Sequence, residues 1–185
     1  MIGYAFCGSF CTHQISLQML AKLSQSYEIQ PIMSHITATT DTRFGTSLAL
    51  RSQVEGICGR SVIDTITDAE PLGPAKPLEA LVICPCTGNT LAKIAHGITD
   101  TPVCMAAKAH LRCARPLVIA LASNDAMSAN LGNIATLLNR KQVYFVPMKQ
   151  DDPVSKPHSL VANFELLPQA VEAAMEGRQL RPLFL

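Results

Sequence analysis

Two hydrophobic patterns alternate along this chain. Short continuous apolar runs at 2–7, 28–34, 80–84, 116–122 and 143–146 predict buried β-strands, and a weaker run at 61–66 predicts one more. Between them, apolar residues recur every three or four positions, which predicts helices over 15–26, from 41 or 42 to 56, and over 90–96, 129–139 and 166–175. The proline-rich segment 71–77 and the polar segment 147–158 are predicted to be loops.

This alternation of strands and helices favours an α/β fold. It predicts a parallel sheet with helices on both faces. The chain has 185 residues, which is enough for one domain with its own core. No repeat, low-complexity segment or linker divides it, so a single domain is predicted over 1–185.

The composition narrows the classes of partner. The formal net charge is +1, which gives no electrostatic basis for binding nucleic acid or an anionic membrane. No apolar run reaches the length of a membrane span, and the first residues follow a strand pattern without the basic start of a signal peptide. Only 16% of the residues are charged, and this low fraction predicts that part of the surface is buried against other subunits.

Most of the seven cysteines are predicted to be structural. Their odd number and irregular spacing argue against a disulfide framework. The pairs at 7 and 11 and at 84 and 86 lack the spacing of a zinc site. Small buried thiols in a reducing cytoplasm are therefore expected, with no metal.

Polar residues follow three of the predicted strands at the point where each strand ends. Because the carboxyl ends of parallel strands share one edge of a sheet, these turns are expected to lie together. Hydroxyls and backbone N–H groups in such turns can hold a phosphate without a lysine, although the same residue types also cap helices. Both interpretations stay open for Ser9, Thr12, Ser34, Thr37, Thr87, Asn89 and Thr90.

Three further side chains are candidates for substrate contacts. Asn124 follows the fourth main strand and could hydrogen-bond a carboxylate or a ring carbonyl; the alternative is an Asx turn before the next helix. Lys108 and Arg112 are one helical turn apart and could bind an anionic ligand, or they could form a solvated helix face.

Several separated blocks occur in an order shared with one group of proteins. CPCTGNTLAKIAHGI at 84–98 is similar to the PASANT stretch of the flavin-containing cysteine decarboxylases, whose superfamily also includes the flavin prenyltransferases. GSFCT at 8–12, DTRFG at 41–45, AEPLGP at 69–74, MAAK at 105–108, SNDA at 123–126 and YFVP at 144–147 extend the likeness. Within this superfamily, the chain most resembles the B-chain family of the dipicolinate synthases, over nearly its whole length.

The resemblance implies a Rossmann-like three-layer sandwich with a mostly parallel sheet, and an FMN site. Asn124 matches the asparagine that contacts the substrate carboxylate in the decarboxylases. By position, the residues implied to contact FMN are Gly8 and Ser9 in the first turn, Ser34 and Thr37 in the second, Thr87, Gly88, Asn89 and Thr90 in the third, and Ser123 in the fourth.

The sequence departs from the superfamily at positions that other members use for catalysis. The decarboxylases carry a catalytic histidine upstream of the central strand, but no histidine lies between His35 and His96. Ser123 replaces the methionine before Asn124, and Ser128 replaces a tryptophan. The arginine that the prenyltransferases carry after the fourth strand is also missing. These departures weigh against decarboxylation and prenyl transfer.

The family implies an oxidoreductase that works with a second subunit. An A chain of nicotinamide-binding type is the expected partner, and the pair would form dipicolinate from a dihydrodipicolinate-level intermediate of the lysine pathway. The expected place is the cytoplasm of the mother cell of a sporulating bacterium. Asn124 and Glu70 are the candidate catalytic residues, and Arg43, Lys108 and Arg112 are expected to hold the substrate's carboxylates.

The resemblance also bears on assembly and leaves two alternatives open. The superfamily forms trimers or larger shells with FMN at subunit interfaces, so a homo-oligomer is expected. One alternative is a flavin-free, non-catalytic partner subunit of the synthase. The other is an FMN-dependent decarboxylase of the phosphopantothenoylcysteine type.

Overall fold

The computed structural model describes residues 1–185, which fold around a seven-stranded sheet. The strands are β1 (Ile2–Phe6), β2 (Ile29–Met33), β3 (Leu81–Cys86), β4 (Leu117–Ser123), β5 (Val143–Phe145), β6 (Met148–Lys149) and β7 (Leu160–Ala162). The helices are α1 (His13–Leu23), α2 (His35–Thr39), α3 (Ser47–Cys58), α4 (Ile66–Ala69), α5 (Gly88–Ala95), α6 (Pro102–Leu111), α7 (Leu131–Leu138) and α8 (Leu167–Met175). None of them combines the length and the apolar character needed to cross a membrane.

Four parallel strands form the main part of the sheet, in the order β2-β1-β3-β4. β5 pairs in parallel with the first half of β4, and β7 pairs antiparallel with the last two residues of β4. β6 lies outside β7 and is antiparallel to it. The parallel part confirms the sequence prediction. β6 and β7 were not predicted: β6 lies within the polar segment 147–158 that was predicted to be a loop, and β7 has only three residues, too few to show a periodicity.

Helices cover both faces of the sheet, as predicted. On one face α1, α3 and α8 pack against side chains such as Tyr4, Phe6 and Val82. On the other face α5, α6 and α7 pack against side chains such as Ala5 and Ile83. Successive residues of a strand point to opposite faces, so β1 and β3 contribute to both halves of the core. Every residue of these two strands is buried, as expected for the centre of a parallel sheet.

β3 ends two residues later than predicted, because it continues through Pro85 to Cys86. Proline has no N–H for the sheet and is uncommon in a central strand. Here the Pro85 carbonyl still accepts from the Cys7 N–H at 3.2 Å, and the register with β4 shifts between Ile83 and Cys86. The longer strand brings the third turn to the edge of the sheet beside β4.

Two local predictions are wrong. α3 begins at Ser47 rather than at 41 or 42, because Thr46 caps it by accepting from the Ala49 N–H at 3.1 Å. The segment 61–66 is not a strand: a single bridge joins Ile63 to Ile32, and α4 begins directly afterwards.

Candidate functional site

The turns that follow β1, β2, β3 and β4 meet at one edge of the sheet. Ser34, the first residue after β2, donates its N–H to the carbonyl of Phe6 at the end of β1, at 2.9 Å. On the other side of β1, the Cys7 N–H donates to the Pro85 carbonyl of β3 at 3.2 Å. The turns that the sequence predicts to converge are therefore neighbours in space.

The second turn holds two buried hydroxyls in contact. Ser34 Oγ caps α2 by accepting from the Thr37 N–H at 3.4 Å. The two hydroxyl oxygens lie 2.9 Å apart, and Thr37 is only 1% exposed. The capping interpretation is therefore correct for Ser34, but it does not exhaust the hydrogen-bonding capacity of either oxygen.

The third turn repeats this arrangement at the start of α5. Thr87 Oγ1 accepts from the Thr90 N–H at 3.2 Å and donates to Thr90 Oγ1, also at 3.2 Å. Thr90 Oγ1 donates in turn to the sulfur of Cys7 at 3.4 Å, which connects the third turn to the first. Buried Gly88 and exposed Asn89 begin the helix, where N–H groups have no carbonyl partner within the helix.

The first turn is the most open of the four. The Ser9 N–H donates to the Cys7 carbonyl at 2.9 Å, while its hydroxyl makes no hydrogen bond that caps the following 3₁₀ turn. His13 Nε2 donates to the same carbonyl at 2.8 Å. Burial lowers the pKa of His13, so its ring is neutral at pH 7. Gly8 and Ser9 are half-buried at this edge, and the Ser9 hydroxyl is available for a ligand.

The fourth turn folds around a carboxylate. The Ser123 hydroxyl and the Asn130 amide both donate to Asp125 Oδ1, the amide at 3.0 Å. Asn124, which lies between Ser123 and Asp125 in the chain, is exposed. These are bonds between side chains, and neither Asn124 nor Asp125 accepts from a backbone N–H two residues on, so the Asx-turn alternative is wrong and the Asn124 side chain is left at the surface of the edge.

The nine residues predicted to contact FMN lie in these converging turns. They present hydrogen-bond donors, and none of them carries a carboxylate. Their side chains are hydroxyls, one amide and two glycines without side chains, as the sequence shows. Such a set, next to the N-terminus of α5, suits a ligand with phosphate, hydroxyl and carbonyl oxygens. No group of three or more His, Cys, Asp or Glu side chains is placed to hold a metal ion.

A cleft of about 140 Å³ opens beside the first two turns. Its walls are the start of α1, α2, the segment 42–47 and the start of α3, and no Lys, Arg, Asp or Glu lines it. Arg43 is flanked by lining residues and holds its guanidinium 4.9 Å from the ring centre of Phe44. Among the predicted cofactor contacts only Thr37 lines this cleft, so it adjoins the strand-end turns and does not include the third and fourth.

Two residues that the structure places in this region were not predicted from the sequence. Phe44 is 54% exposed at the cleft, and an aromatic residue within a polar segment was the available signal. Asn130 is buried in the fourth turn just before α7, and its position as a cap-type residue before a helix was the available signal.

Arg112 lies towards the opposite edge of the sheet, with Lys108 one helical turn earlier in α6 and Glu70 paired with Arg112. Arg112 follows the last residue of α6, and Arg115, three residues later, donates to the Leu78 carbonyl just before β3 begins. Arg112 also faces Glu70, with Nη2 3.8 Å from Oε1. Because α6 returns along the sheet to the start of β4, a single chain does not bring these three residues to the strand-end turns.

The buried thiols around the third turn are expected to be unreactive. Burial raises the pKa of Cys7 and Cys84 to about 12, and it raises the pKa of Cys86 as well. Cys11 is exposed. Brief treatment of the native protein with iodoacetamide at about pH 8 is therefore expected to label Cys11 well before the three buried thiols. Peptide mass spectrometry measures the labelling of each cysteine. Equal labelling of the four in the native protein would contradict this, and the unfolded protein is the control in which all react.

Comparisons with known proteins decide the family. The sequence profile of the flavoprotein family matches residues 2–165. The chain belongs to the flavoprotein family. The B subunit of dipicolinate synthase from Bacillus subtilis (strain 168) is 40% identical over 185 residues, which cover 100% of this chain and 92% of that relative. This match confirms the predicted resemblance to the dipicolinate synthase B subunits.

Solved structures confirm the predicted Rossmann-like fold. The crystal structure of the dipicolinate synthase B subunit from Bacillus halodurans C has a TM-score of 0.91 and 40% identity, and the match covers 100% of this chain and 95% of that chain. The FMN-dependent cysteine decarboxylase SpaF has a TM-score of 0.69 at 24% identity, covering 95% and 94%. A dodecameric FMN-dependent Ubix-like decarboxylase from Escherichia coli O157:H7 has a TM-score of 0.62 at 19% identity, covering 80% of each chain. The last two similarities concern the fold alone.

Proposed function

We propose that this chain binds FMN at the carboxyl edge of its sheet and acts, with an A subunit, as the B subunit of a dipicolinate synthase. The convergence of the hydroxyl-bearing turns on one edge carries the flavin part of this proposal. Full-length identity of 40% to a relative of that name supports the synthase part. Dipicolinate formation in the mother cell of a sporulating bacterium stays a prediction.

The strand-end residues fit the polar parts of FMN. In this proposal Ser9, the Ser34–Thr37 hydroxyl pair and the start of α5 hold the phosphate and ribityl oxygens, since these residues offer hydrogen-bond donors and carry no carboxylate of their own. The third turn contacts the ring system through Thr87 and Thr90. Bound FMN supplies a two-electron acceptor, which is what the conversion of a dihydropyridine to an aromatic pyridine dicarboxylate requires.

The substrate would be held at the same edge. Exposed Asn124 can donate its amide to a carboxylate there, and Arg43 offers a charge-assisted bond from the segment beside the neighbouring cleft. Lys108, Arg112 and Glu70 would reach such a substrate only from a neighbouring copy of the chain. Their assignment therefore depends on the predicted homo-oligomer.

A flavin-free partner subunit is the second candidate. It is favoured by the absence of any histidine between His35 and His96, where the decarboxylases have their catalytic histidine. In this case the fold would position an A subunit, and the strand-end hydroxyls would serve only as helix caps. The same absence makes a decarboxylase of the phosphopantothenoylcysteine type the weakest of the three.

Three measurements on one sample, the chain co-purified with its A subunit, distinguish these candidate functions. The visible absorption spectrum, a titration with added FMN and the rate of dipicolinate formation are measured on that sample. Flavin bands or saturable FMN binding, together with FMN-dependent dipicolinate formation, are the expected results. Full-rate formation without flavin would establish the partner role. No dipicolinate formation with either flavin state would remove the synthase assignment.

A further inference from the structure

A set of hydrogen bonds inside the fourth turn joins buried side chains through an exposed acid. Asp125 Oδ1 accepts from the Ser123 hydroxyl and from Asn130 Nδ2. Ser123 is 9% exposed and Asn130 is 5% exposed, whereas Asp125 itself is an exposed residue. The Asn130 N–H also donates to the Asp125 carbonyl at 3.1 Å. We call these three residues the Asp125 cluster; its bonds hold the two ends of the fourth turn together.

The Asn130 amide is held from its other side as well. Its Oδ1 accepts from Asn133 Nδ2 in α7, at 2.9 Å. An amide whose oxygen and nitrogen both have partners has a defined orientation. The Asp125 cluster therefore presents a fixed polar surface to the neighbouring third turn.

The third turn packs on this surface at Gly88. A β-carbon at that position would lie 2.5 Å from Ser123 Oγ, 2.6 Å from Asn130 Nδ2 and 2.8 Å from Asp125 Oδ1. Real β-carbons do not approach other atoms so closely, so glycine is required for the first residue of α5 to contact the cluster. All three atoms belong to the same hydrogen-bonded set, so none can move aside without breaking a bond.

We propose that Asp125 is a positioning residue: through Ser123 and Asn130 it holds the fourth turn against Gly88, and so fixes the third and fourth turns as one wall of the cofactor site. The cofactor part rests on the proposed function, whereas the contact between the two turns does not. This wall carries the Thr87 hydroxyl on one turn and the Asn124 amide on the other.

Asp125 has this role as a carboxylate. The hydrogen bond from Ser123 lowers the pKa of the Asp125 carboxyl, and the bond from Asn130 acts in the same direction. The group is therefore ionised at neutral pH. Hydrogen bonds to an ionised acceptor are stronger than those between neutral groups, which suits an acceptor that must hold two donors at once.

The test substitutes a residue of the fourth turn and measures amide hydrogen exchange in the third turn. Asp125→Leu keeps the approximate size of the side chain but accepts no hydrogen bond. Amide hydrogen exchange is followed by NMR at Thr90 and Leu91, whose N–H groups donate to Thr87. We expect exchange about ten-fold faster than in the wild type, which corresponds to about 1.4 kcal/mol. Unchanged exchange at both amides would overturn the proposal, because Asp125 would then serve its own turn alone.

A conservative variant and a reciprocal variant guard against a general loss of stability. Asp125→Asn keeps an acceptor oxygen, so exchange is expected within about three-fold of the wild type. Gly88→Ala changes the third turn and is expected to speed hydrogen exchange at the backbone N–H of Asn130 in the fourth turn. Gly132→Ala is the matched control, since nothing lies within 4 Å of a β-carbon there. If Gly88→Ala leaves hydrogen exchange at the Asn130 backbone N–H unchanged, the two turns are not coupled and the proposal fails. This outcome is decisive even if Asp125→Leu does not fold.

Titration with FMN then links the contact between turns to the ligand. We expect the FMN dissociation constant to rise about ten-fold in Asp125→Leu and to change little in Asp125→Asn. Faster exchange with unchanged FMN affinity would refute the cofactor-site wall. A wild-type protein that binds no FMN would refute the proposed function, and the exchange measurements would still decide whether Asp125 holds the two turns together.

Discussion

Valine at both Thr87 and Thr90 is expected to weaken FMN binding about 100-fold or more. The double substitution keeps the shape of both side chains but removes the hydroxyls of the third turn, which lie 3.2 Å apart. Removing one partner of a buried hydrogen bond leaves the other unsatisfied at a cost of about 1–3 kcal/mol, so the loss of two amounts to roughly 3 kcal/mol. Quenching of FMN fluorescence during titration with each purified variant measures the effect.

Serine at the same two positions is the matched control. Thr87→Ser with Thr90→Ser keeps both oxygens and the cap of α5, so FMN binding is expected to stay within a few-fold of the wild type. The valine pair also removes that cap, which lowers the free energy of unfolding by about 1 kcal/mol, and the thermal midpoint is therefore recorded for each variant. A folded valine variant that binds FMN at wild-type affinity would show that the third turn does not contact the flavin.

Alanine at Gly73 is expected to lower the free energy of unfolding by about 3 kcal/mol. Gly73 is buried in the proline-rich segment before β3, and a β-carbon there would lie 2.6 Å from the carbonyl oxygen of Ala109 in α6. That oxygen belongs to the backbone of a helix packed against the sheet, so it cannot rotate aside as a side chain would. Urea unfolding followed by circular dichroism measures the loss.

Gly56→Ala is the matched control for this prediction. Gly56 lies within α3, is exposed, and has no atom within 4 Å of its would-be β-carbon. Alanine forms helices more readily than glycine, so this variant is expected to gain up to about 1 kcal/mol. Equal urea midpoints for the two variants would contradict the close approach at Gly73.

Much of the fold could be predicted because it depends on local pattern. β1 and β2 were predicted within one or two residues, since each is a short apolar run bounded by polar residues. α3 was predicted to begin too early, because both Asp41 and Thr46 can cap a helix and the sequence offers no means to choose between them. β3 was predicted too short, because a proline that keeps its carbonyl bond to a neighbouring strand cannot be recognised from local pattern.

The candidate site was predicted only in part, because local pattern specifies its strand-end turns but not the contacts between distant segments. The hydroxyl turns of Ser34 and Thr87 lie where parallel strands must end, so the sequence predicts that they are neighbours. Glu70 and Arg112 were predicted to act at the same site, but they form an ion pair with each other away from these turns. The role of Asp125 depends on contacts with Gly88, which is distant in sequence.

Local sequence determined the alternation of strands and helices, the coverage of both faces of the sheet and the hydroxyl-bearing turns at one edge. These follow from side-chain periodicity and from the common direction of parallel strands, which neighbouring residues specify. Only the tertiary structure decided that α6 carries Lys108 and Arg112 away from that edge, and that Gly88 meets Ser123 and Asp125. Such contacts depend on strand register and helix direction over long separations, which no local pattern contains.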